Sequence, residues 1–151
     1  MAQTYSPSSM ATAGQPIHWL LIQFPVVCFT LTLFTDLAYW GTAHLMWHNF
    51  SAWLLFAGIL FGALTAITGI IELLFRSDMR AYRPTWLHVI GSVVVLALAL
   101  VNNFVHAGDG WTAIVPWGLA LSAATVIVMI VSGWYGRAFV RHHGIGVSDH
   151  D

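Results

Sequence analysis

The chain has 151 residues, of which 58% are hydrophobic and only 7% are charged, and its formal net charge is −1. Soluble domains carry about 25% charged residues, so this composition excludes an ordinary soluble domain and indicates an integral membrane protein. With five basic residues in all, nucleic-acid binding has no support. The sequence also contains no phosphate loop, nucleophile–base motif or paired-cysteine metal motif, so it names no enzyme class.

Four apolar runs are each long enough to cross a membrane, since a helix needs roughly 20 apolar residues to span the hydrocarbon core. The runs cover residues 17–46, 51–75, 85–106 and 112–139. The sequence therefore predicts an all-α integral membrane protein that folds as a four-transmembrane-helix bundle. We expect a flexible N-terminal tail over 1–15, the bundle over 16–140 and a short C-terminal tail over 141–151.

The first run opens on the most constrained stretch of the chain. His18 lies at the start of a membrane helix, where an ionisable side chain marks a possible functional site by default. Pro25 follows about one and a half turns further in, and it has no N–H for the carbonyl of residue 21. That carbonyl must find another partner in lipid.

The limits of the helices follow from proline, serine and glycine. Pro16 and Pro84 suit the first turns of helices 1 and 3, and Ser51 is a plausible N-cap of helix 2. Helix 4 is expected to run through Pro116 and to close at residues 133–136, where two glycines flank Trp and Tyr.

Charge predicts the orientation. Four spans place both termini and the 76–84 loop on one side of the membrane, and every basic residue falls on that side. These residues are Arg76, Arg80, Arg83, Arg137 and Arg141. By the positive-inside rule that side is cytoplasmic, so we expect a multi-pass protein of the bacterial inner membrane with both termini in the cytoplasm.

A stripe of small residues runs along helix 2. Gly58 and Gly62 form a small-xxx-small pair, which Ala66 and Gly69 extend. Such a stripe permits close helix contact, and we favour contact within the bundle over contact between protomers. The second alternative, together with the many tryptophans, leaves a homo-oligomer or a larger membrane complex open.

Ionisable residues recur at a spacing that places them on shared helix faces. His88 and His106 are 18 residues apart, which is five helical turns or about 27 Å along the axis. Asp36 likewise follows His18 by 18 residues. The spacing predicts an inner and an outer polar layer. The inner layer contains His18, Glu72, His88 and either His142 or His143, and the outer layer contains Asp36, His44, His48 and His106.

Two imidazoles from different helices at one depth could take both axial positions of haem b. The candidate cofactor-binding residues are His18, His88 and His106. A transition metal is the second option, because imidazole and carboxylate groups are both ligands. The candidate metal ligands are His18, Glu72, His88 and His143. The leading hypothesis is thus a small redox-associated membrane protein, with Glu72 orienting a ligating imidazole.

The alternative is a non-enzymatic accessory or scaffold subunit whose histidines make structural hydrogen bonds. Histidines near helix ends can cap carbonyls or touch headgroups. Glu72 has Arg76 at i+4, and Asp36 could bond to a neighbour on its own helix, namely Thr32, Tyr39 or Trp40. A transporter or channel is disfavoured because the spans contain few polar residues that could line a pathway.

Short motifs in order along the chain support a family resemblance. They are Gln15-Pro-Ile-His18, Gln23-Phe-Pro25, Asp36, Thr68-Gly-x-x-Glu72, His88 and the ending Arg141-His-His-Gly-Ile-Gly-Val147. Over residues 14–147 the chain resembles a bacterial four-helix membrane domain, unknown-function family 2231. Gln15 and Gln23 stand where that family often has histidine, which leaves His18, His88 and His143. Because family members can be joined to Rieske iron–sulfur domains, the resemblance implies a redox membrane complex as partner.

Overall fold

The computed structural model describes residues 20–75, 86–108 and 114–142. These residues contain four helices that are long and apolar enough to cross a membrane, and no strand, which confirms the predicted fold class. The helices are α1 (Gln23–Thr42), α2 (Leu45–Phe75), α3 (Trp86–His106) and α4 (Leu119–His142). The predicted 1–15 tail and the helix start near Pro16 lie outside the described residues.

Helices that follow one another in the chain are neighbours in space. Contacts join α1 to α2, α2 to α3 and α3 to α4, and contacts between α1 and α4 close the ring. Helices α1 and α3 therefore face each other across a diagonal of the bundle. We call the end where α1 and α3 finish the Asp36 end, and the opposite end the His88 end.

The core positions of each helix follow a spacing of four and three residues, which is the seam of a helix bundle. In α1 the buried residues are Pro25, Phe29, Thr32, Asp36 and Tyr39. The seams of α2 and α3 show the same spacing, with Ser51, Leu55, Gly58 and Gly62 in one and Val95, Ala99, Asn102 and His106 in the other. Polar residues thus occupy core positions towards the Asp36 end, whereas Phe29, Leu55, Val95 and Ala99 form an apolar layer beneath them.

The connection between α1 and α2 differs from the predicted one. Helix α1 ends at Thr42 because Ala43 adopts a left-handed conformation, with φ 54° and ψ 20°, and donates its N–H to the Tyr39 carbonyl at 2.7 Å. Helix α2 begins at Leu45. The prediction of Ser51 as an N-cap is therefore wrong, since Ser51 lies inside α2 with its side chain buried.

Two prolines also occupy positions relative to their helices that differ from the predicted ones. Because α1 begins at Gln23, Pro25 lies in its first turn, where a missing N–H is tolerated. Val115, before Pro116, is extended at φ −114° and ψ 123°, so the regular α4 starts only at Leu119. The residue before a proline avoids the helical region, which explains the break. Helix α4 then continues through residues 133–136, the predicted stop, to His142.

The glycines of α2 make room for neighbours within the bundle. A Cβ atom on Gly58 would lie 2.5 Å from Cε1 of Phe29, and one on Gly62 would lie 2.5 Å from Cδ2 of Leu96. A Cβ atom on Gly69 would meet nothing within 4 Å. The Gly58–Gly62 part of the stripe therefore serves contacts with α1 and α3, as the intramolecular alternative predicted.

Candidate functional site

The carboxylate of Asp36 lies at the meeting point of all four helices. Ser51 of α2 donates its hydroxyl to Oδ1 at 2.5 Å, and Ser122 of α4 donates to Oδ2 at 2.5 Å. His106 of α3 places Nε2 3.0 Å from Oδ1. We call these four residues the Asp36 centre. None of them is more than 2% exposed, so the bundle buries one polar side chain from each helix at a single point.

Two further side chains supply hydrogen bonds to the Asp36 centre. Asn102 donates its amide Nδ2 to Ser122 Oγ at 2.8 Å. Thr35 Oγ1 lies 2.7 Å from Ser51 Oγ, and it also lies within hydrogen-bond distance of two backbone carbonyls of its own helix, at 2.9 and 3.1 Å. The Asn102 amide thus leaves the Ser122 hydroxyl proton free to point at the carboxylate. In a low dielectric such aligned hydrogen bonds strengthen one another.

Both ring nitrogens of His106 are engaged by the protein. Nδ1 lies 3.0 Å from the backbone carbonyl of Asn102, one turn earlier in α3. Because a carbonyl can only accept, Nδ1 carries a hydrogen and donates it. Nε2 faces Asp36 at 3.0 Å. A haem iron at His106 would have to displace one of these partners, so the arrangement favours a structural role for this histidine over the predicted cofactor binding.

His48 links the Asp36 centre to the end of the bundle. Its Nε2 lies 2.9 Å from the backbone carbonyl of His106, and the two rings stack with centroids 6.0 Å apart and planes at 9°. His48 is only half-buried, whereas His106 is buried. Within the described residues, the buried Tyr39 hydroxyl and Asn102 Oδ1 have no hydrogen-bond partner. Both residues flank the Asp36 centre, one turn above it on α1 and one turn below it on α3.

At the opposite end of α3, His88 is half-buried. Its Nδ1 lies 3.5 Å from Ser132 Oγ of α4, and its carbonyl accepts a hydrogen bond from Ser92 at 2.9 Å. Helices α3 and α4 can approach closely here because Gly91 has no side chain. Ser132 occupies the space that a side chain at this position would need. His88 Nδ1 therefore has a long contact to a hydroxyl that also donates to the His88 carbonyl, at 3.5 Å.

The structure tests the two predicted layers unequally. The outer layer is confirmed for Asp36, His48 and His106, but His44 is exposed in the turn between α1 and α2. The partners of Asp36 come from other helices and not from its own, which corrects that expectation. In the inner layer, His18 and His143 lie outside the described part, as do the side chains of Glu72 and His142, so convergence on His88 stays a prediction. Within the described residues, no group of three or more histidine, cysteine or acidic side chains is arranged to hold a metal ion.

Four residues in or next to the Asp36 centre escaped sequence reasoning, namely Thr35, Ser51, Asn102 and Ser122. A signal existed for Asn102, which precedes His106 by four residues and so shares its helix face. No such signal marks Ser51 or Ser122, because a serine within an apolar helix is a common small residue. Only the packing of α2 and α4 shows that these two serines face the carboxylate.

The comparison with known proteins agrees with this architecture. A family model described as "Predicted membrane protein (DUF2231)" matches residues 14–149. No curated protein and no solved structure matches the chain. The family match spans nearly the whole sequence and includes all four helices and the Asp36 centre. The chain therefore belongs to the family of membrane proteins of unknown function described as DUF2231.

Proposed function

We propose that this protein is a non-enzymatic structural subunit of a membrane complex, and that the Asp36 centre holds its four helices in one arrangement. The observation that carries the proposal is the convergence of one buried polar side chain from each of the other three helices on the Asp36 carboxylate of α1. In this proposal the histidines of the Asp36 end make structural hydrogen bonds.

Such a centre selects a single packing of the helices. Apolar side chains can interdigitate in several registers, whereas a buried carboxylate is stable only where all its donors are present. Removing one partner of a buried ionic pair costs about 3–5 kcal/mol, because it leaves the other charge uncompensated. A polar core residue that fixes register in this way is a known device in helical bundles.

The outside of the bundle offers broad apolar contact surfaces. Trp53 of α2, Trp117 before α4 and Trp134 of α4 are each 71% exposed. Tryptophans at such positions contact lipid headgroups or a neighbouring helix. A rigid bundle with these surfaces suits a subunit that packs laterally against a partner or a second copy. We place it in the bacterial inner membrane with both termini cytoplasmic, on the arginine asymmetry of the loops.

Site-specific photo-crosslinking in native membranes tests the structural role. A photoreactive amino acid replaces Trp53, Trp117 or Trp134 in turn, and Ala99, which is fully buried, serves as the matched control position. We expect a discrete cross-linked band above the monomer from at least one tryptophan position and none from Ala99. Monomer alone at all three tryptophan positions would rule out the proposed subunit role.

A redox role is the second candidate, and one contact favours it. A ligating histidine usually donates its other ring N–H to an acceptor, and Ser132 Oγ lies 3.5 Å from His88 Nδ1. Nε2 of His88 would then be the ligand for haem b or a transition metal, with His18, Glu72 or His143 completing the site. His106 would not take part while both its nitrogens remain engaged.

Colour and metal content test this second candidate. A purified sample should show a Soret band or about one transition metal per chain. His88→Ala should abolish the signal, Ser132→Ala should weaken binding by about 10–100-fold, and His48→Ala should leave it unchanged. A colourless sample without stoichiometric metal would eliminate the redox candidate.

A further inference from the structure

We propose that a groove between α2 and α3 at the Asp36 end binds one phospholipid, whose glycerol ester carbonyl accepts a hydrogen bond from the side-chain amide of Asn103. The proposal goes beyond the subunit role given above and does not depend on it, because the exposed Trp117 and Trp134 leave other surfaces for a protein partner.

The groove has a volume of about 380 Å³ and is lined by Ala52, Trp53 and Phe56 of α2 and by Asn103 of α3. This volume is typical of small-molecule sites, which measure about 300–1,000 Å³. Trp53 and Phe56 are 71% and 53% exposed, and their rings meet edge to face with centroids 6.2 Å apart. Two aromatic rings therefore form one wall of a groove that opens towards the outside of the bundle.

The side-chain amide of Asn103 has no hydrogen-bond partner among the described residues. Only its backbone carbonyl is engaged, by the N–H of Ala107 at 2.9 Å. The neighbouring Asn102, in contrast, is buried in the core and donates to Ser122 at 2.8 Å. An amide next to hydrocarbon is costly without a partner, because no water replaces the missing hydrogen bonds. Asn103 therefore needs a partner from outside the bundle.

The depth of Asn103 matches the ester region of a phospholipid. Helix α3 has 21 residues, which is about 31 Å at 1.5 Å per residue and close to the ~30 Å of the hydrocarbon core. Asn103 lies in the last turn of α3, so its amide is at the boundary between hydrocarbon and headgroups. Ester carbonyls occupy that boundary and accept hydrogen bonds. The acyl chain would continue past Phe56, which lies one turn deeper in α2 than Ala52.

The shape of the groove disfavours a second copy of the chain as its occupant. Two Asn103 amides could pair with each other, but Asn103 is half-buried, whereas the neighbouring Trp53 and Phe104 are 71% and 69% exposed. The rings of two copies would meet before the amides do, while an acyl chain is thin enough to pass between the rings.

The charge at the Asp36 end indicates which part of the lipid is recognised. Among the described residues at this end there is no lysine or arginine. The groove therefore has no described basic side chain for a phosphate or an anionic headgroup, and its hydrogen-bond donors face the ester region. We expect binding of phospholipids without selection of an anionic headgroup.

Native mass spectrometry of the full chain tests the proposal. Protein reconstituted with ester-linked phosphatidylcholine should retain one lipid per chain after transfer to detergent. The ether-linked analogue has the same headgroup but no carbonyls, so its retention should be about 2–10-fold weaker, the effect of one hydrogen bond. Ester-linked phosphatidylglycerol should be retained as well as phosphatidylcholine. A clear preference for phosphatidylglycerol would contradict recognition through the ester region.

Asn103→Leu should lower the retention of the ester-linked lipid to that of the ether-linked analogue. Leucine is similar in size to asparagine and suits lipid contact, so the variant should keep its thermal midpoint of unfolding. Phe104→Leu is the matched control, because Phe104 is exposed next to the groove but does not line it, and this variant should retain lipid like the wild type. The proposal is overturned if the wild type retains no lipid, if it retains ester-linked and ether-linked lipid equally, or if Asn103→Leu retains the ester-linked lipid like the wild type.

A photoreactive amino acid in place of Phe56 identifies the occupant in native membranes. We expect the monomer to gain the mass of one phospholipid on illumination. A cross-link from this position to a second copy or to another protein would contradict a lipid in the groove. Cross-links from Trp117 or Trp134 concern the subunit role and leave this inference unaffected, so the two proposals fail independently.

Discussion

Nε2 of His106 and Oδ1 of Asp36 lie 3.0 Å apart, although their helices face each other across the diagonal of the bundle. Both side chains are essentially fully buried, and each sits at a core position of its helix seam. The pair therefore ties α1 directly to α3, while Ser51 and Ser122 bring the other two helices to the same carboxylate. This arrangement fixes the relative depth of all four helices, which contacts between apolar side chains alone would leave adjustable.

Ser122→Ala should destabilise the bundle by about 0.6–2 kcal/mol, because it removes a hydrogen bond to the buried carboxylate. Thr125 is the matched control, since it lies in the next turn of α4, is equally buried and donates only to the Leu121 carbonyl of its own helix. Thr125→Val should therefore cost less than Ser122→Ala. Reversible unfolding in mixed detergent micelles measures the unfolding free energy of both variants. Equal losses of stability in the two variants would mean that the hydrogen bond from Ser122 to Asp36 contributes no more than a bond within one helix.

Gly58→Ala should lower stability by about 1–3 kcal/mol, because the added methyl group would overlap the Phe29 ring and force α1 and α2 apart. Gly69→Ala provides the control on the same helix. A Cβ atom there meets nothing within 4 Å, so the better helix propensity of alanine should leave stability unchanged or raise it by up to about 1 kcal/mol. Thermal unfolding in detergent distinguishes the two variants. A tolerated Gly58→Ala would show that α1 and α2 do not pack as closely as described.

Reporter fusions test the orientation in the membrane. Fusions after residues 80 and 151 should report a cytoplasmic location, and fusions after residues 44 and 108 should report the opposite side, because all five arginines lie on the first side. Moving two arginines into the segment 107–113 provides a second test, since it should weaken this preference. A periplasmic signal after residue 80 or 151 would contradict the assigned topology.

Helix number and the depth of the ionisable residues could be predicted from the sequence, because hydropathy sets the spans and a fixed rise sets the depth. That reasoning placed Asp36 and His106 in one layer. It could not place Ser51 inside α2, because α1 ends where Ala43 adopts a left-handed conformation and α2 begins soon after it. Ala43 is neither glycine nor proline, so the residue type does not indicate a helix end there. It could not assign Ser122 either, because the direction of a side chain around a helix axis is decided by packing between helices. Local patterns do not encode that packing.

A double-mutant cycle between Asp36 and His106 examines the tie between α1 and α3 most directly. The free energy of unfolding is measured for the wild type, Asp36→Ala, His106→Ala and the double variant. We expect a coupling energy of about 1.5–3 kcal/mol between the two residues. A cycle of Asp36→Ala with Ser132→Ala, at the opposite end of the bundle, is the control and should be additive within about 0.5 kcal/mol. A coupling energy near zero between Asp36 and His106 would contradict the structural role assigned to this pair.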